Sequence, residues 1–395
     1  MGNRRFIAYV GPFSFPDGGA AARRILGNAR ALRGLGYDIA IASGQMPRNS
    51  EMIEDEYDGF KVYSLGERVA EDMPNILKYA VYSRMGKKTV AWLNSLGRKP
   101  DAVILYSGYL PYFLRMLPWC RRNGVPLIFD AVEWYTPDRW YQWAYRPYFW
   151  NSEMSMRYWV PKAGNVIAIS SHLQDEFEKR GCNVVRVPPL IQSNEFYSDE
   201  GHASESKLRL VYAGSPGSKD LLNTVIESVL RIDPSGQRLV LTILGPDVKE
   251  VSEYAALATR GIPPCLEPMG PVSHEKAIAA VRNADFSVLI RRPNRVSNSG
   301  FPTKVVESLM VGTPVIANLT SDLRLHLADG VNAMLAKGFD AESLSFQMSR
   351  SLELSVSKKN EMRRAAYIHS RRAFDGREYR MILAGLLEGA GVNMD

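Results

Sequence analysis

The segment running from Gly300 through Phe301, Pro302, Thr303, Lys304, Val305, Val306 and Glu307 to Gly312, Pro314 and Ile316 carries the residues best suited to chemistry. Pro302 fits a first helical turn, Gly312 fits the end of the helix, and an apolar strand follows, so the spacing predicts a helix with Lys304 just inside its start. A lysine there opposes the helix dipole by roughly 0.3–1 kcal/mol, and a bound anion reverses that sign. Glu307 lies three residues further on the same face. Two readings stand. Lys304 and Glu307 form an ion pair worth about a few tenths of a kcal/mol, or they serve two moieties of one ligand. In the second reading Lys304 takes a phosphate and Glu307 accepts the vicinal hydroxyls of a ribose in bidentate fashion.

A second loop repeats the arrangement. Gly214-Ser215-Pro216-Gly217-Ser218-Lys219-Asp220 follows an apolar run and precedes an expected helix, so Lys219 again stands at a helix start. It either binds an anion or is a solvated lysine partly neutralised by Asp220. One nucleotide diphosphate would satisfy both lysines and Glu307. Arg291, Arg292 and Arg295 cluster ahead of the Gly300 segment, where a guanidinium can clamp a diphosphate bidentately. Arg295 is preferred because it is closest in sequence to the helix start.

These residues need elements to hold them. Short apolar or β-branched runs alternate with amphipathic stretches, the rhythm of parallel sheets with crossover helices, and such sheets bind ligands outside the carboxyl ends of their strands. Strands are expected near Phe6–Val10, Asp38–Ala42, Val62–Leu65, Ala102–Tyr106, Leu127–Phe129, Val166–Ile169 and Val184–Val187. Helices are expected at Ala20–Leu35, Ile76–Leu96, Ser152–Ala163 and Ser171–Lys179. The rhythm pauses over residues 191–207 and resumes with strands near Leu208–Ala213, Leu239–Leu244, Phe286–Ile290 and Pro314–Ala317. Helices are expected after Lys219, Ser273, Pro302, Ser321 and Ala341, and one or two more over Lys358–Leu387. The expected fold class is α/β: two doubly wound, Rossmann-like domains over residues 1–190 and 208–372, with 191–207 as linker.

The chain has 395 residues, more than one core usually supports. Its composition is that of an ordinary globular protein. The three cysteines, Cys120, Cys182 and Cys265, lack metal-ligand spacing and fit a reduced, cytoplasmic compartment. No apolar run is long enough to span a membrane, and the start lacks a signal-peptide core. Residues 1–190 hold 25 Lys+Arg against 18 Asp+Glu, leaving 24 of each in the rest (49 − 25 and 42 − 18), so the first half alone carries the basic excess of +7. That asymmetry suits an anionic partner such as a membrane surface, or a solubilising surface. No nucleic-acid partner is expected.

The ordered motifs resemble those of the family-4 retaining glycosyltransferases, which adopt the GT-B fold. The run Arg291 to Ile316 looks like that family's donor-site signature, Pro16-Asp17-Gly18-Gly19-Ala20 its N-terminal glycine loop, and Asp130-Ala131-Val132-Glu133-Trp134-Tyr135 its central first-domain motif. Ala168 to Leu190 resembles the end of its acceptor domain. The resemblance runs, with gaps, from about residue 5 to about residue 340. It implies two domains facing across a cleft, the first binding the acceptor and the second the donor, with a final helix (about residues 373–395) packing back on the first domain. It implies that Lys219 binds the donor diphosphate with Lys304 beside it, that Glu307 binds the ribose, and that Gly18 and Gly19 closely approach the donor phosphate or transferred sugar. Gly214, Ser215, Arg295, Gly300, Phe301, Pro302 and Thr303 complete the expected donor site. Transfer would proceed with retention, without a bound metal or other cofactor, from a nucleotide-diphosphate sugar to a saccharide or lipid-linked saccharide of a bacterial surface polysaccharide.

Two positions depart from the pattern. Many members carry a glutamate eight residues before the second one, where this chain has Ser299. Many have a histidine where this chain has Val132, before Glu133. Asp130 and Glu133 are candidates for acceptor orientation or base work, with loop capping or arginine pairing as the alternative. A catalytically silent nucleotide-binding subunit and a nucleotide-sugar epimerase of the same fold are the rival readings. An oxidoreductase does not fit, because the first loop is not Gly-x-Gly-x-x-Gly and no ribose-binding acid follows Ala42.

Five of the seven tryptophans fall between Trp134 and Trp159 among tyrosines and Arg139, Arg146 and Arg157. They form an aromatic core, a sugar-stacking acceptor surface or a membrane-interface patch. The five histidines are too dispersed in sequence for a metal site or a Ser/His/Asp array and receive no role.

Overall fold

The computed structural model describes residues 5–17, 19–47, 53–68, 75–137, 141, 147–191, 206–217, 219–254 and 261–392. The chain forms two units, one comprising Met1–Ile191 with Gly376–Asp395 and the other Gln192–Asp375. Most of the expected linker, residues 192–205, lies outside the described residues.

The first unit is built on eight strands: β1 (Phe6–Gly11), β2 (Asp38–Ser43), β3 (Ile53–Tyr57), β4 (Phe60–Ser64), β5 (Ala102–Tyr106), β6 (Leu127–Ala131), β7 (Asn165–Ala168) and β8 (Asn183–Arg186). Their order is β3-β4-β2-β1-β5-β6-β7-β8, parallel throughout except for β3. The central strands are buried on both faces, which is why they read as continuous apolar runs. β1 binds β2 on one side and β5 on the other, Tyr9 pairing with Ile41 and with Ile104. The chain therefore changes direction between β1 and β5, and their carboxyl ends border the crevice where ligands bind such sheets. The final helix, Arg380–Gly389, buries Leu383, Leu386 and Leu387 in the same core as Ile7, Ile25 and Leu32.

The second unit has six parallel strands: β9 (Leu208–Ala213), β10 (Leu239–Leu244), β11 (Leu266–Gly270), β12 (Phe286–Leu289), β13 (Val315–Asn318) and β14 (Ala333–Ala336). Their order is β11-β10-β9-β12-β13-β14, which reverses between β9 and β12. Tyr212, Ile226, Leu241, Phe286 and Ile316 sit in its core.

Several expectations are corrected. The single helix expected over Ile76–Leu96 is two, Asn75–Arg84 and Lys87–Ser95, divided at Gly86, whose φ of 85° is left-handed. The stretch after β5, for which no element was expected, forms the helix Leu110–Asn123, with Pro111 in its first turn and Pro118 inside it. The helix expected over Ser152–Ala163 begins at Pro147 and passes through a π-helical stretch, Ser155–Trp159. Strands β3, β11 and β14 were not expected. All three are sheet edges, where charge (β3), a proline (β11) or brevity (β14) replaces a long apolar run.

Candidate functional site

At the reversal point of the second unit, residues from four loops meet. β9 ends at Ala213 and passes into Gly214, whose φ of 106° suits only glycine. A Cβ on Gly214 would stand 2.9 Å from Cε and 3.3 Å from Nζ of Lys304, so the missing side chain also leaves the space that this lysine occupies. Gly245, after β10, presses on the other side, where a Cβ would meet the Gly214 carbonyl carbon at 2.9 Å.

Lys304 is the second residue of the helix Thr303–Met310, which follows Pro302 as its N-cap. Its ammonium donates to Asp220 Oδ2 at 2.6 Å, to Tyr212 Oη at 2.9 Å and to the Ser215 carbonyl at 3.4 Å. It also lies 4.3 Å from the centre of the Tyr212 ring. Tyr212 in turn donates to Asp220 Oδ2 at 2.9 Å, and Arg291 Nε donates to Asp220 Oδ1 at 2.7 Å. Arg291 follows β12, and its backbone is fastened on both sides by Asn318 at the end of β13: the Arg291 N–H donates to Asn318 Oδ1 at 2.9 Å and the Asn318 amide donates to the Arg291 carbonyl at 2.8 Å.

One buried carboxylate thus gathers two cations at the carboxyl ends of β9 and β12. Burial alone would raise the Asp220 pKa, but Arg291 and Lys304 together hold it below the usual carboxylate range. Burial pulls the Lys304 ammonium down, with Asp220 opposing. Lys304, Arg291 and Asp220 sum to one positive charge, and Lys219 immediately precedes Asp220 in the chain. Such a fixed positive cluster can stabilise negative charge that develops on a bound group.

Glu307 lies one turn beyond Lys304 on the same helix and is half-buried. The sequence pairs Lys304 with Glu307 or with a ligand and Asp220 with Lys219; the structure joins Lys304 to Asp220, because β9 ends and the Thr303–Met310 helix starts at the same end of the sheet. The expected first-turn position of Lys219 is also corrected. Its helix begins at Leu222 and Lys219 stands in the preceding turn. Arg291 engages the cluster; Arg295, the arginine preferred from the sequence, opens its own short helix, Arg295–Ser299, capped by Asn294. Gly300 accepts from the Ser321 hydroxyl through its carbonyl. The Phe301 ring is buried against His326 and Phe374, with centroids at 5.4 and 5.9 Å, and anchors the loop. Ser299 is fully buried, its hydroxyl donating to the Val296 carbonyl at 3.1 Å.

In the first unit the glycine loop leaves β1 at Gly11, where a Cβ would meet the Tyr106 carbonyl oxygen at 2.6 Å. Phe13 packs edge-on against Tyr106, Arg68 donates to Ser14, and the Phe15 N–H donates to Gln45 at 3.1 Å. Gly19 opens the helix Gly19–Arg33 with a φ of 60°, and the space above it is open for 4 Å. Gly18 lies outside the described residues.

Glu133 is in the loop after β6, half-buried beside tyrosines. Burial raises the Tyr106, Tyr109 and Tyr148 hydroxyls above the ordinary phenol range; at Tyr106 Asp130 and then Glu133 add to it, at Tyr148 the neighbouring Tyr109 and then Glu133 add to it, and at Tyr109 Tyr148 and Arg68 partly oppose it while Glu133 adds least. Tyr109 and Tyr148 have ring centroids 6.1 Å apart, and Tyr135 and Tyr148 are at 5.6 Å.

Asp130 is different. It is 0 % exposed and accepts from Arg24 at 2.6 and 2.9 Å, from Tyr9 and from Asn28. Arg24 also donates to the Val187 carbonyl at 2.9 Å, so this ion pair fastens the first helix to β6 and to the end of the first domain. The geometry gives Asp130 the arginine-pairing role and no face for an acceptor.

Of the aromatic stretch, residues 138–140 and 142–146 lie outside the described residues. Trp134 is buried and stacks on Phe177, while Trp150, Met154 and Tyr158 are exposed. His326 and His369, unassigned from sequence, approach to 3.2 Å beside Phe374, and burial lowers the His369 pKa. Among the described residues no group of three His, Cys, Asp or Glu could hold a metal ion, and no helix is long and apolar enough to cross a membrane.

Two family models match the chain: a glycosyl transferase 4-like domain over residues 19–190 and a glycosyl transferases group 1 domain over residues 207–353. No curated protein matches the sequence. Among solved structures, sucrose-phosphate synthase from Thermosynechococcus elongatus is similar with a TM-score of 0.78 and 13% identity, covering 98% of this chain and 99% of that one. The HepE protein of Anabaena in complex with UDP-glucose gives 0.66 and 15% over 97% and 99% of the two chains. A UDP-forming α,α-trehalose-phosphate synthase from Burkholderia xenovorans gives 0.68 and 12% over 98% and 99%. At these identities the likeness carries the fold.

Proposed function

The chain belongs to the GT-B glycosyltransferases of the family-4-like type, and from that membership we propose that it moves a sugar, with retention, from a nucleotide-diphosphate donor to a saccharide or lipid-linked saccharide acceptor. The donor is held by the second unit. The observation that carries this reading is the fixed cationic cluster of Lys304 and Arg291 on Asp220, at the reversal point between β9 and β12. There a diphosphate would find both cations already oriented, and Lys219 in the adjoining turn adds a third. As the bond to the transferred sugar breaks, charge grows on the departing diphosphate. Cations that need no reorganisation stabilise it without a metal. Glu307, one turn along the helix, takes the ribose hydroxyls.

The acceptor belongs to the first unit, near Glu133, where Tyr109, Tyr135 and Tyr148 offer ring faces and hydroxyls suited to a saccharide. The basic excess of residues 1–190 and the exposed Trp150, Met154 and Tyr158 support peripheral contact with an anionic membrane at the cytoplasmic face. Bacterial surface polysaccharide synthesis is the process such an acceptor implies.

UDP-sugars are the first donors to test, because HepE was solved with UDP-glucose. A thermal-shift screen of UDP-, GDP- and other nucleotide sugars identifies the donor, since a ligand that binds only the native state raises its stability. Release of nucleotide with and without a saccharide acceptor then separates a transferase from a silent subunit, and product analysis without acceptor separates it from an epimerase. Absence of any stabilising nucleotide overturns the reading.

A further inference from the structure

A cavity of about 650 Å³ opens at the amino ends of β1, β2 and β4 in the first unit, the end of the sheet opposite the glycine loop. Its volume is within the range of about 300–1,000 Å³ typical of small-molecule sites. Tyr37 and Phe60 form buried walls, and Phe6, Tyr63 and Leu96 add partly exposed ones. Polar groups line the rest. The Arg33 guanidinium lies over the Phe60 ring at 4.2 Å and that of Arg98 over the Phe6 ring at 5.3 Å. Stacking of this kind fixes the plane of a guanidinium and leaves its edge for hydrogen bonds.

Each cation here already has a carboxylate. Asp58 is 2.8 Å from Arg30 and 3.4 Å from Arg33, Arg98 is 3.8 Å from Asp38, and Lys61 is 2.7 Å from Glu54. The helices Gly19–Arg33 and Lys87–Ser95 both end beside the cavity, so their carbonyl ends add partial negative charge. A polyanion meets a carboxylate at each cation, a cation meets three positive side chains, and a purely apolar ligand would desolvate the ion pairs without replacing their hydrogen bonds. A neutral polyhydroxylated molecule has none of these costs. Its hydroxyls donate to Asp38 and accept from Arg33, Arg98 and Lys61, while its C–H faces cover the aromatic walls.

We infer that this cavity is an accessory saccharide site, sized for one or two sugar rings and separate from both the donor cluster and Glu133. The inference does not rest on the transfer reaction, because binding here is read without donor.

Gly97 makes the site testable. It lines the cavity, its backbone is not left-handed, and a Cβ added to it meets nothing within 4 Å. Gly97→Trp therefore adds a bulky ring at the cavity wall with no clash at its Cβ. Calorimetric titration of the full chain with glucose, galactose, mannose, maltose and cellobiose, beside inorganic pyrophosphate and UDP, is the experiment. At least one saccharide should bind the unaltered chain. Its affinity should fall by about tenfold or more in Gly97→Trp and in Arg98→Ala, while the thermal midpoint and UDP binding stay as they were. If Gly97→Trp fails to fold, Arg98→Ala carries the comparison. The inference is overturned if none of these sugars binds, if the substituted chain binds them as well as the original, or if pyrophosphate rather than sugar is displaced by filling the cavity. Failure of UDP binding alone counts against the proposed donor site and not against this one.

Discussion

The ammonium of Lys304 donates to Oδ2 of Asp220 at 2.6 Å, across 84 residues of chain. Arg291 takes the other carboxylate oxygen at 2.7 Å, so Asp220 is the point at which the loops after β9 and β12 and the Thr303–Met310 helix are joined. The same contacts that hold these loops also orient two cations toward the end of the sheet. Under the proposed function, stability and donor binding are therefore coupled at this carboxylate.

Removing the carboxylate should expose that coupling. Asp220→Asn leaves Lys304 and Arg291 without their shared counter-charge in a largely buried place, which costs about 3 kcal/mol. The folded-state pKa of Asp220 lies below its ordinary value, so its contribution is fully present above the ordinary carboxylate range and is lost as pH falls through the folded pKa. Urea unfolding at several pH values should show the gap between the original chain and Asp220→Asn narrowing as the solution is taken from pH 6 toward pH 3. A gap independent of pH would show that Asp220 is not an ionised anchor.

Gly214→Ala tests the close approach. The substitution forces a left-handed φ on a residue with a side chain, at a cost of about 1–3 kcal/mol, and puts a methyl group 2.9 Å from Cε of Lys304. Lys304 must shift away from Asp220 or Tyr212. The affinity for nucleotide should fall about tenfold, beyond what the loss of stability explains, and Gly217→Ala serves as comparison because its φ is also left-handed but its Cβ meets nothing within 4 Å. Equal losses of nucleotide affinity in the two variants would remove Lys304 from the argument.

These features were unequally legible in the sequence. The central strands are covered on both faces, and their apolar runs announce them; edge strands β3, β11 and β14 bury less or are too short to do so. The helix bounds at Pro302 and Gly312 follow from local backbone chemistry and were readable for that reason. The partners of Asp220 were not, because they lie 71 and 84 residues away and only the sheet order brings them together. Proximity in sequence favoured Arg295, but the strand end delivers Arg291. The His326–His369 approach, across 43 residues, was hidden in the same way.

Lys219 and Glu307 should fail in different ways. If Lys219 meets charge that appears on the diphosphate only as the bond breaks, Lys219→Ala lowers kcat by about 10²- to 10³-fold, with the larger loss in the chemical step. If Glu307 holds the ribose hydroxyls, which are bound alike before and during reaction, Glu307→Ala should chiefly raise the KM for the donor. Both variants should unfold thermally as the original does. Steady-state kinetics with the donor identified by thermal shift provide the check, and full activity in either variant would sink its assignment to the donor site.

The two acids of the first-domain motif separate most sharply. Asp130 is fully buried on Arg24, and Asp130→Ala strands that guanidinium in the core between the first helix, β6 and Val187, at a cost of about 3–5 kcal/mol. Its effect is on folding, so activity per folded molecule should remain close to the original. Glu133 is half-buried and lies among the tyrosines at the carboxyl end of the sheet. Glu133→Gln keeps the shape and removes the charge, so unfolding should be nearly unchanged while transfer to acceptor falls by about 10²-fold, the range of positioned acid–base groups. Hydrolysis of donor without acceptor should be less affected than transfer if, as proposed, the first unit supplies the acceptor's contacts. If Asp130→Ala were stable but inactive and Glu133→Gln fully active, the roles assigned to the two carboxylates would have to be exchanged.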